Sequence, residues 1–468
     1  QYSISPLALS VIPDSLQRII LTNPDLLDSA QQQYVFYNYT VREVDTYGYD
    51  FFGREVDSKD YNRIKRNEGP KEPIYGALFL EDRWELEGLI INAGLRWDYF
   101  DPNTKSLKNI LDIFHTEIND ESFEPTHPKS NVSPRLRIGF PVSDKIYVFA
   151  NYGTFIKVPP MKLLYMGIDK IYSHPYEGLT YRIFSNPNLG FEKTKQFEIG
   201  INYTFSEYLI CNLQTYYNEM SGQVGLRSID TSIHIYQNSD ISKSKGFEIS
   251  IEVKRWKNFT GKINYTLSSA WGTASEALTY ANILWINGRI PLYDFPLDFD
   301  QRHTISSNLN YRFCDIEDSF LKNFGINILF RANSGKPYTF SNPNRFPNDI
   351  GIEPLSSLNS NNTDWNYRFD LRIDKTFNLP LGLRLNTYLL CLNLFNHKEV
   401  VSVWPSSGNP DATGYLSTSS GREIIDNLIL SGRESEVPVY TGLFSMFEME
   451  QTNVGPPRQM RLGCIIEF

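Results

Sequence analysis

The chain has 468 residues, 41% hydrophobic and 14% aromatic, with 45 basic and 54 acidic side chains and a formal net charge of −9. That balance excludes the basic footprint of a nucleic-acid partner. A negative mean hydropathy, with no apolar run near the ~18 residues a spanning helix needs, excludes a helical membrane protein but not a membrane β-barrel, whose alternating strands leave average hydropathy low.

Residues 1–73 read as a long, exposed, loop-rich segment. Pro6, Pro13, Pro24, the tract Gln31–Gln33 and the run Tyr47–Gly53 interrupt any period. A short helix is expected near 14–20 and a strand over 33–44. No basic start followed by an apolar core and a small-residue cleavage site opens the chain, so any export signal is expected upstream.

From Ile74 the pattern turns regular, with period two. Ile74, Gly76, Leu78, Leu80, Trp84 and Leu86 share one side against Glu81, Arg83 and Glu85, with Asp82 as an interruption. After Glu87–Gly88, residues 89–99 set Ile91, Ala93, Leu95 and Trp97 opposite Asn92, Arg96 and Asp98. Such alternation marks strands with one apolar and one wet face. A hairpin is expected from 133–141 and 145–155. A strand carrying Phe197, Ile199, Ile201 and Tyr203 comes next, then one reaching about Glu219. A loop near 221–241 precedes a pair of strands around Phe247–Val253 and Phe259–Leu267. Beyond the loop 272–299 come strands at 301–313 and 323–334, and then the loop 335–365. A hairpin of 366–377 and 382–395 leads to a last loop over 396–456. The closing strand alternates Met460, Leu462, Cys464, Ile466 and Phe468 with Gln459, Arg461, Gly463 and Glu467.

Thirteen strands are legible in this way. Their connections alternate between short turns and loops of tens of residues, as in outer-membrane barrels. Strands of roughly 10–14 residues, rising about 3.3 Å each and tilted about 45°, span a bilayer core. Trp84, Trp256 and Phe259 lie by the short turns, and Trp97, Tyr99, Phe100, Tyr216 and Tyr217 by the long loops, the places of two aromatic girdles. A soluble sandwich would keep its connections short and bury one face in a shared core. The expected fold is therefore all-β, a transmembrane antiparallel β-barrel.

No enzyme site emerges. His115, His127, His174, His234, His303 and His397 show no ligand spacing, and no nucleophile elbow or phosphate loop occurs. Cys211, Cys314, Cys391 and Cys464 form no CxxC pair and read as packing thiols. No cofactor is implied.

Several stretches carry a family resemblance. Ser133-Pro-Arg-Leu136, Phe149-Ala-Asn-Tyr-Gly-Thr-Phe155 and Pro159-Pro160 resemble the mid-barrel region of TonB-dependent outer-membrane receptors. Asn186-Pro-Asn-Leu189, Glu192-Lys-Thr194 and Phe197-Glu-Ile-Gly200 are similar to the start of a following strand in that family. Lys245-Gly-Phe-Glu248, Arg302-His-Thr304, Leu392-Asn-Leu-Phe-Asn396 and the terminal Phe468 match later strands. The stretch from Ile90 to Pro102 resembles the Oar-like branch, whose members carry a carboxypeptidase-regulatory-like N-terminal module.

The resemblance implies a barrel of roughly 22 strands in the bacterial outer membrane. Residues 74–468 would be its C-terminal part, and 1–73 an extracellular loop with one strand. The N-terminal plug and the remaining strands would lie outside the chain. A shorter barrel of about 14 strands is the alternative, an even count being the rule in bacteria. The implied activity is energy-coupled uptake of a large or scarce solute, with the TonB complex acting indirectly through the plug. Outer-membrane lipid and the barrel-assembly machinery are the other implied partners, Phe468 being the assembly signal. The long loops would be extracellular and the C-terminus periplasmic. Loop aromatics Trp271, Tyr280, Trp285, Tyr293, Trp365 and Trp404 are the candidate substrate contacts, because aromatic faces at a barrel mouth grip sugars, siderophores or peptides. Arg302, Arg312, Arg368, Asp370, Arg372 and Asp374 are candidate lumen-facing charges, either binding substrate or forming ladders that hydrate the lumen and hold a plug. The rival function is a structural scaffold or interaction barrel in an outer-membrane assembly.

Overall fold

The computed structural model describes residues 70–110, 120–165, 182–229, 233–285, 293–313, 320–347, 352–449 and 451–468, with a few shorter pieces elsewhere. Its main element is one antiparallel sheet whose long strands pair in chain order. They are β1 (Ile74–Leu86), β2 (Leu89–Asp101), β3 (Lys129–Ser143), β4 (Ile146–Lys157) and β5 (Glu192–Ser206). Next come β6 (Leu209–Ser228), β7 (Ile233–Trp256), β8 (Phe259–Gly272) and β9 (His303–Arg312). The series ends with β10 (Phe324–Asn333), β11 (Asn366–Asn378), β12 (Arg384–Leu392) and β13 (Gln459–Glu467). The sheet is not closed: β1 and β13 are its two edges.

Register explains the two faces. Phe197 of β5 stands opposite Tyr152 of β4 and Tyr217 of β6, and Ile199 opposite Ala150 and Thr215. Glu198, between them, faces the other way and accepts a 2.7 Å hydrogen bond from Nδ2 of Asn151, its partner in β4. A one-residue slip would exchange these faces, so the alternation holds the register. Leu80 and Leu462 are 75% and 85% exposed on the apolar side. A contiguous exposed apolar face of this extent fits contact with lipid. Short turns join the hairpins, with Gly88 at φ 73° after β1 and Lys257 at φ 52° after β7.

The packed core lies at the long-loop end, not in the sheet. β6 and β7 run past their neighbours, with a shift in pairing around Gly222, which sits at φ 67°. A loop is expected near 221–241, but strand continues there to Ser228 and resumes at Ile233. Alternation is lost because both sides of this projection are covered. Leu226, Phe100, Leu164, Leu189, Tyr280 and Phe295 join in one buried cluster. Phe100 is therefore a core residue and not a girdle one, and Tyr216 lies over Gly246 on the polar face. Loops in water need such a core, whereas a lipid-facing wall does not.

The last long connection also departs from expectation. It holds two helices, α1 (Ser419–Leu430) and α2 (Val437–Glu448). Thr418 caps α1 by accepting from the Gly421 amide at 3.2 Å, and Pro438 sits in the first turn of α2. Phe444 of α2 is buried against Phe346 and Tyr415. Of the N-terminal segment, Tyr2–Ile4 pairs with Thr40–Arg42 in a separate small sheet. The remainder of the strand expected over 33–44 and the helix near 14–20 lie outside the described residues, apart from Leu16. Cys211, Cys391 and Cys464 are free thiols, and Cys314 lies outside the described residues.

Candidate functional site

The predicted charges of β9 and β11 come together on the polar face. Arg312 Nη2 donates to Asp374 Oδ2 at 2.8 Å and to Oδ1 at 3.1 Å, and Asn386 Nδ2 donates to Oδ2 at 3.0 Å. Arg368 Nε donates to Asp370 Oδ1 at 2.8 Å, an atom that also accepts from the Asn393 amide at 2.7 Å. Arg372 is held differently: its guanidinium lies 4.4 Å over the Tyr388 ring. Asp370, Arg372 and Asp374 point the same way at every second position of β11, so these groups form a continuous polar strip. Charges engaged with one another in this manner brace the wall and keep it wet.

Arg302 sits apart, at the long-loop rim. There β9, β10 and β11 end level with one another, His303 opposite Leu267 and Asn333 opposite Thr304 and Asn366. β8 runs on to Gly272, where Trp271 and Gly272 pair with Pro296 and Phe295. The wall thus steps down beside β8. The segment 293–302 forms one flank of the step and the loop 334–365 the other. Asn359, at φ 52°, ties the flanks by donating from Nδ2 to the Pro296 carbonyl at 2.8 Å and to Asp298 Oδ1 at 2.6 Å. Gly335 passes so close to the Thr363 backbone that no side chain would fit.

Between the flanks is an open cleft of about 650 Å³. Trp271, Tyr293 and Trp365 line it and are 41%, 47% and 51% exposed. Trp365 stacks on His303 at 5.6 Å between centroids, and His303 Nδ1 is 3.0 Å from the Tyr265 hydroxyl. Arg302 pairs with Asp300 at 3.4 Å, and the buried Asp300 also accepts from the Ala270 amide at 2.8 Å. The volume is that of a small-ligand site.

The other candidates lie elsewhere. Tyr280 is 1% exposed in the loop core, where its hydroxyl donates to the Thr273 carbonyl and burial pushes the phenol well above its ordinary pKa. Trp404 donates from Nε1 to the Glu448 carbonyl at 3.0 Å and packs on Phe447, bracing the helical hairpin. The Trp285 side chain lies outside the described residues. Phe468 is fully exposed beyond β13. Asn359, Asp294 and Asp300 sit in stretches without period, which carry no local signal of a site; the Ser- and Asn-rich run from Ser356 to Asn362 marks only a turn-dense flank. Among the described residues no cluster of three or more His, Cys, Asp or Glu side chains is arranged to hold a metal ion.

Comparison with solved structures finds similar barrels at low identity. The FrpB iron transporter from Neisseria meningitidis (F3-3 variant) is 16% identical with a TM-score of 0.46, over 70% of this chain and 42% of that one. The siderophore receptor PiuA from Acinetobacter baumannii is 14% identical with a TM-score of 0.44, over 71% and 40%. The copper transporter OprC is 15% identical with a TM-score of 0.47, over 85% and 49%. The chain thus spans less than half the length of these structures. A search of curated proteins gives no match. The family model described as TonB dependent receptor-like, beta-barrel, matches residues 13–396, most of the chain. The family is one of outer-membrane receptors and not of enzymes, and this chain belongs to it.

Proposed function

We propose that the chain supplies part of the wall and the outer loops of a receptor for energy-coupled uptake of a large or scarce solute. The observation that carries this reading is the wet face of the wall, where Arg312–Asp374 and Arg368–Asp370 pair in one strip opposite the apolar side, below the end that bears the long loops. Those loops are extracellular in this proposal, and the solute first meets the barrel there. The polar strip of β9 and β11 faces the lumen and a plug, and the TonB complex pulls on that plug. Phe468, exposed beyond β13 at the short-turn end, is the signal for the barrel-assembly machinery. Phe468→Ser is expected to lower the amount of barrel inserted, and an unchanged amount would remove that role.

The test of uptake compares cells that carry the intact receptor with cells that lack it. Mass spectrometry of the medium is expected to show at least one solute depleted only by the former, and only with the inner membrane energised. Equal depletion in both would overturn the reading.

One observation favours a second reading, an interaction barrel. The α1–α2 hairpin lies beyond the stretch matched by the family model and exposes Leu430 at 84%, Leu443 at 62% and Met446 at 71%. Under this reading depletion is equal in the two strains, and a partner copurifies only while these three side chains are apolar.

A further inference from the structure

The chemistry of the rim cleft narrows what it holds. One face of the Trp365 ring rests on His303, and the residue as a whole is still 51% exposed. Trp271 and Tyr293 likewise present wetted aromatic surface to the same space. Flat apolar faces of this kind match a ligand that has a flat apolar face of its own.

Charge restricts the ligand further. Among the described residues Arg302 is the one cation in the lining and is engaged by Asp300, while Asp294 adds a second carboxylate. The lining therefore carries a formal excess of negative charge, which opposes an anionic ligand. Around the rings stand Ser357, Ser360, Asn362 and Thr363, whose hydroxyl and amide groups both donate and accept. Apolar ring faces edged by such groups complement a sugar, whose C–H face is apolar and whose rim is hydroxylated.

We propose that the rim cleft is a binding site for neutral saccharide, an inference that rests on the cleft being a ligand contact of the receptor. Trp271 has the parity of Ile263 and Leu267, and Trp365, just before β11, stacks on His303, which has the parity of Ile305 and Leu309, all on the apolar side of the sheet. The cleft therefore opens where the lipid-facing surface gives way to the loops. Two sources present the same chemistry there: a free oligosaccharide, and the sugar of a glycolipid in the surrounding leaflet.

The experiment uses the intact receptor, purified in detergent and titrated calorimetrically with neutral hexasaccharides (malto-, cello- and manno-), with mixed micelles carrying an uncharged diglycosyl diacylglycerol and with a ferric tris-catecholate. Saturable binding of a hexasaccharide or of the glycolipid is expected, weakened about tenfold by Trp365→Ala and by Trp271→Ala but not by Trp404→Ala. Thermal melting of each variant checks that it remains folded. A hexasaccharide arm supports both the saccharide site and its place in uptake. A glycolipid arm alone supports the saccharide site and removes the cleft from the uptake reading. Binding of the catecholate alone, weakened by Trp365→Ala, overturns the saccharide class and leaves the uptake reading standing. No saturable binding, or equal loss with Trp404→Ala, overturns the proposal.

Discussion

Arg312 of β9 and Asp374 of β11 meet across the strand between them, directly over Gly325 of β10. The three residues are in register, and a Cβ on Gly325 would lie 2.7 Å from Asp374 Oδ1 and 2.8 Å from Arg312 Nη2. The missing side chain is thus what lets the pair close. Arg312 is partly exposed, so water screens the interaction, but Asp374 is almost fully buried and needs its donors. Gly325→Val is expected to cost about 1–2 kcal/mol by parting the ions. The cost should be much smaller in an Asp374→Ala background, where no pair remains to be broken. The temperature at which the folded band is lost on a gel measures both.

The buried cluster at the long-loop end predicts a lesion that leaves the wall intact. Leu226 is fully buried there on the projection of β6. Leu226→Ala should destabilise the cluster by about 2–5 kcal/mol, the range for a large-to-small core change. Since the cluster lies outside the spanning part of the sheet, cleavage in 273–297 should become faster while the folded band on a gel persists. Loss of that band together with faster cleavage would show that cluster and wall fold as one unit.

The same cluster has a pH dependence with a definite sign. Burial raises the Tyr280 phenol above its ordinary value, so in the folded state it stays protonated where the unfolded chain has begun to ionise. Its contribution is complete below the unfolded value of about 10 and is lost as pH rises past it. Protection of 273–297 from protease should therefore decline above about pH 10. Tyr280→Phe should flatten part of that decline, while lowering protection at neutral pH because the Thr273 carbonyl loses its donor.

Much of the wall was legible because one physical rule governs it: lipid on one side and a wet surface on the other force period two on every strand. Phe197, Ile199 and Ile201 obey that rule, and so do Asp370, Arg372 and Asp374. The rule fails where both sides are covered, as at Val224, Leu226, Ile233 and Tyr236, which is why β6 and β7 looked shorter than they are. It is silent on α1 and α2, whose apolar residues recur at helical spacing inside what otherwise reads as a loop. The rim cleft was legible in part. Exposed loop tryptophans signalled a surface, but the step beside β8 that brings Trp271 to Trp365 depends on where β9 begins. Nothing in local composition separates Trp404, which props a helix, from Trp365, which lines the cleft.

The edge strand β13 rests on a stack of three residues. Tyr388 of β12 lies in register with Gly463, and a Cβ there would stand 2.6 Å from the phenol oxygen, so the ring covers the glycine. Arg372 in turn lies 4.4 Å over the ring. The same device recurs where Phe149 covers Gly200 and Tyr216 covers Gly246. In each case the ring lies flat along the polar face, shielding a strand position that has no side chain of its own. Gly463→Val should lift Tyr388 from β13 and from Arg372 together, at a cost of about 1–3 kcal/mol for overpacking. β13 has one paired neighbour in the sheet, so the cost should appear first as faster amide exchange from Met460 to Ile466, before any change in β11. Adding Tyr388→Ala should restore part of the protection, because the clash is then gone and only the covering ring is missing. If exchange in β13 is unchanged by Gly463→Val, the ring is not what holds the strand.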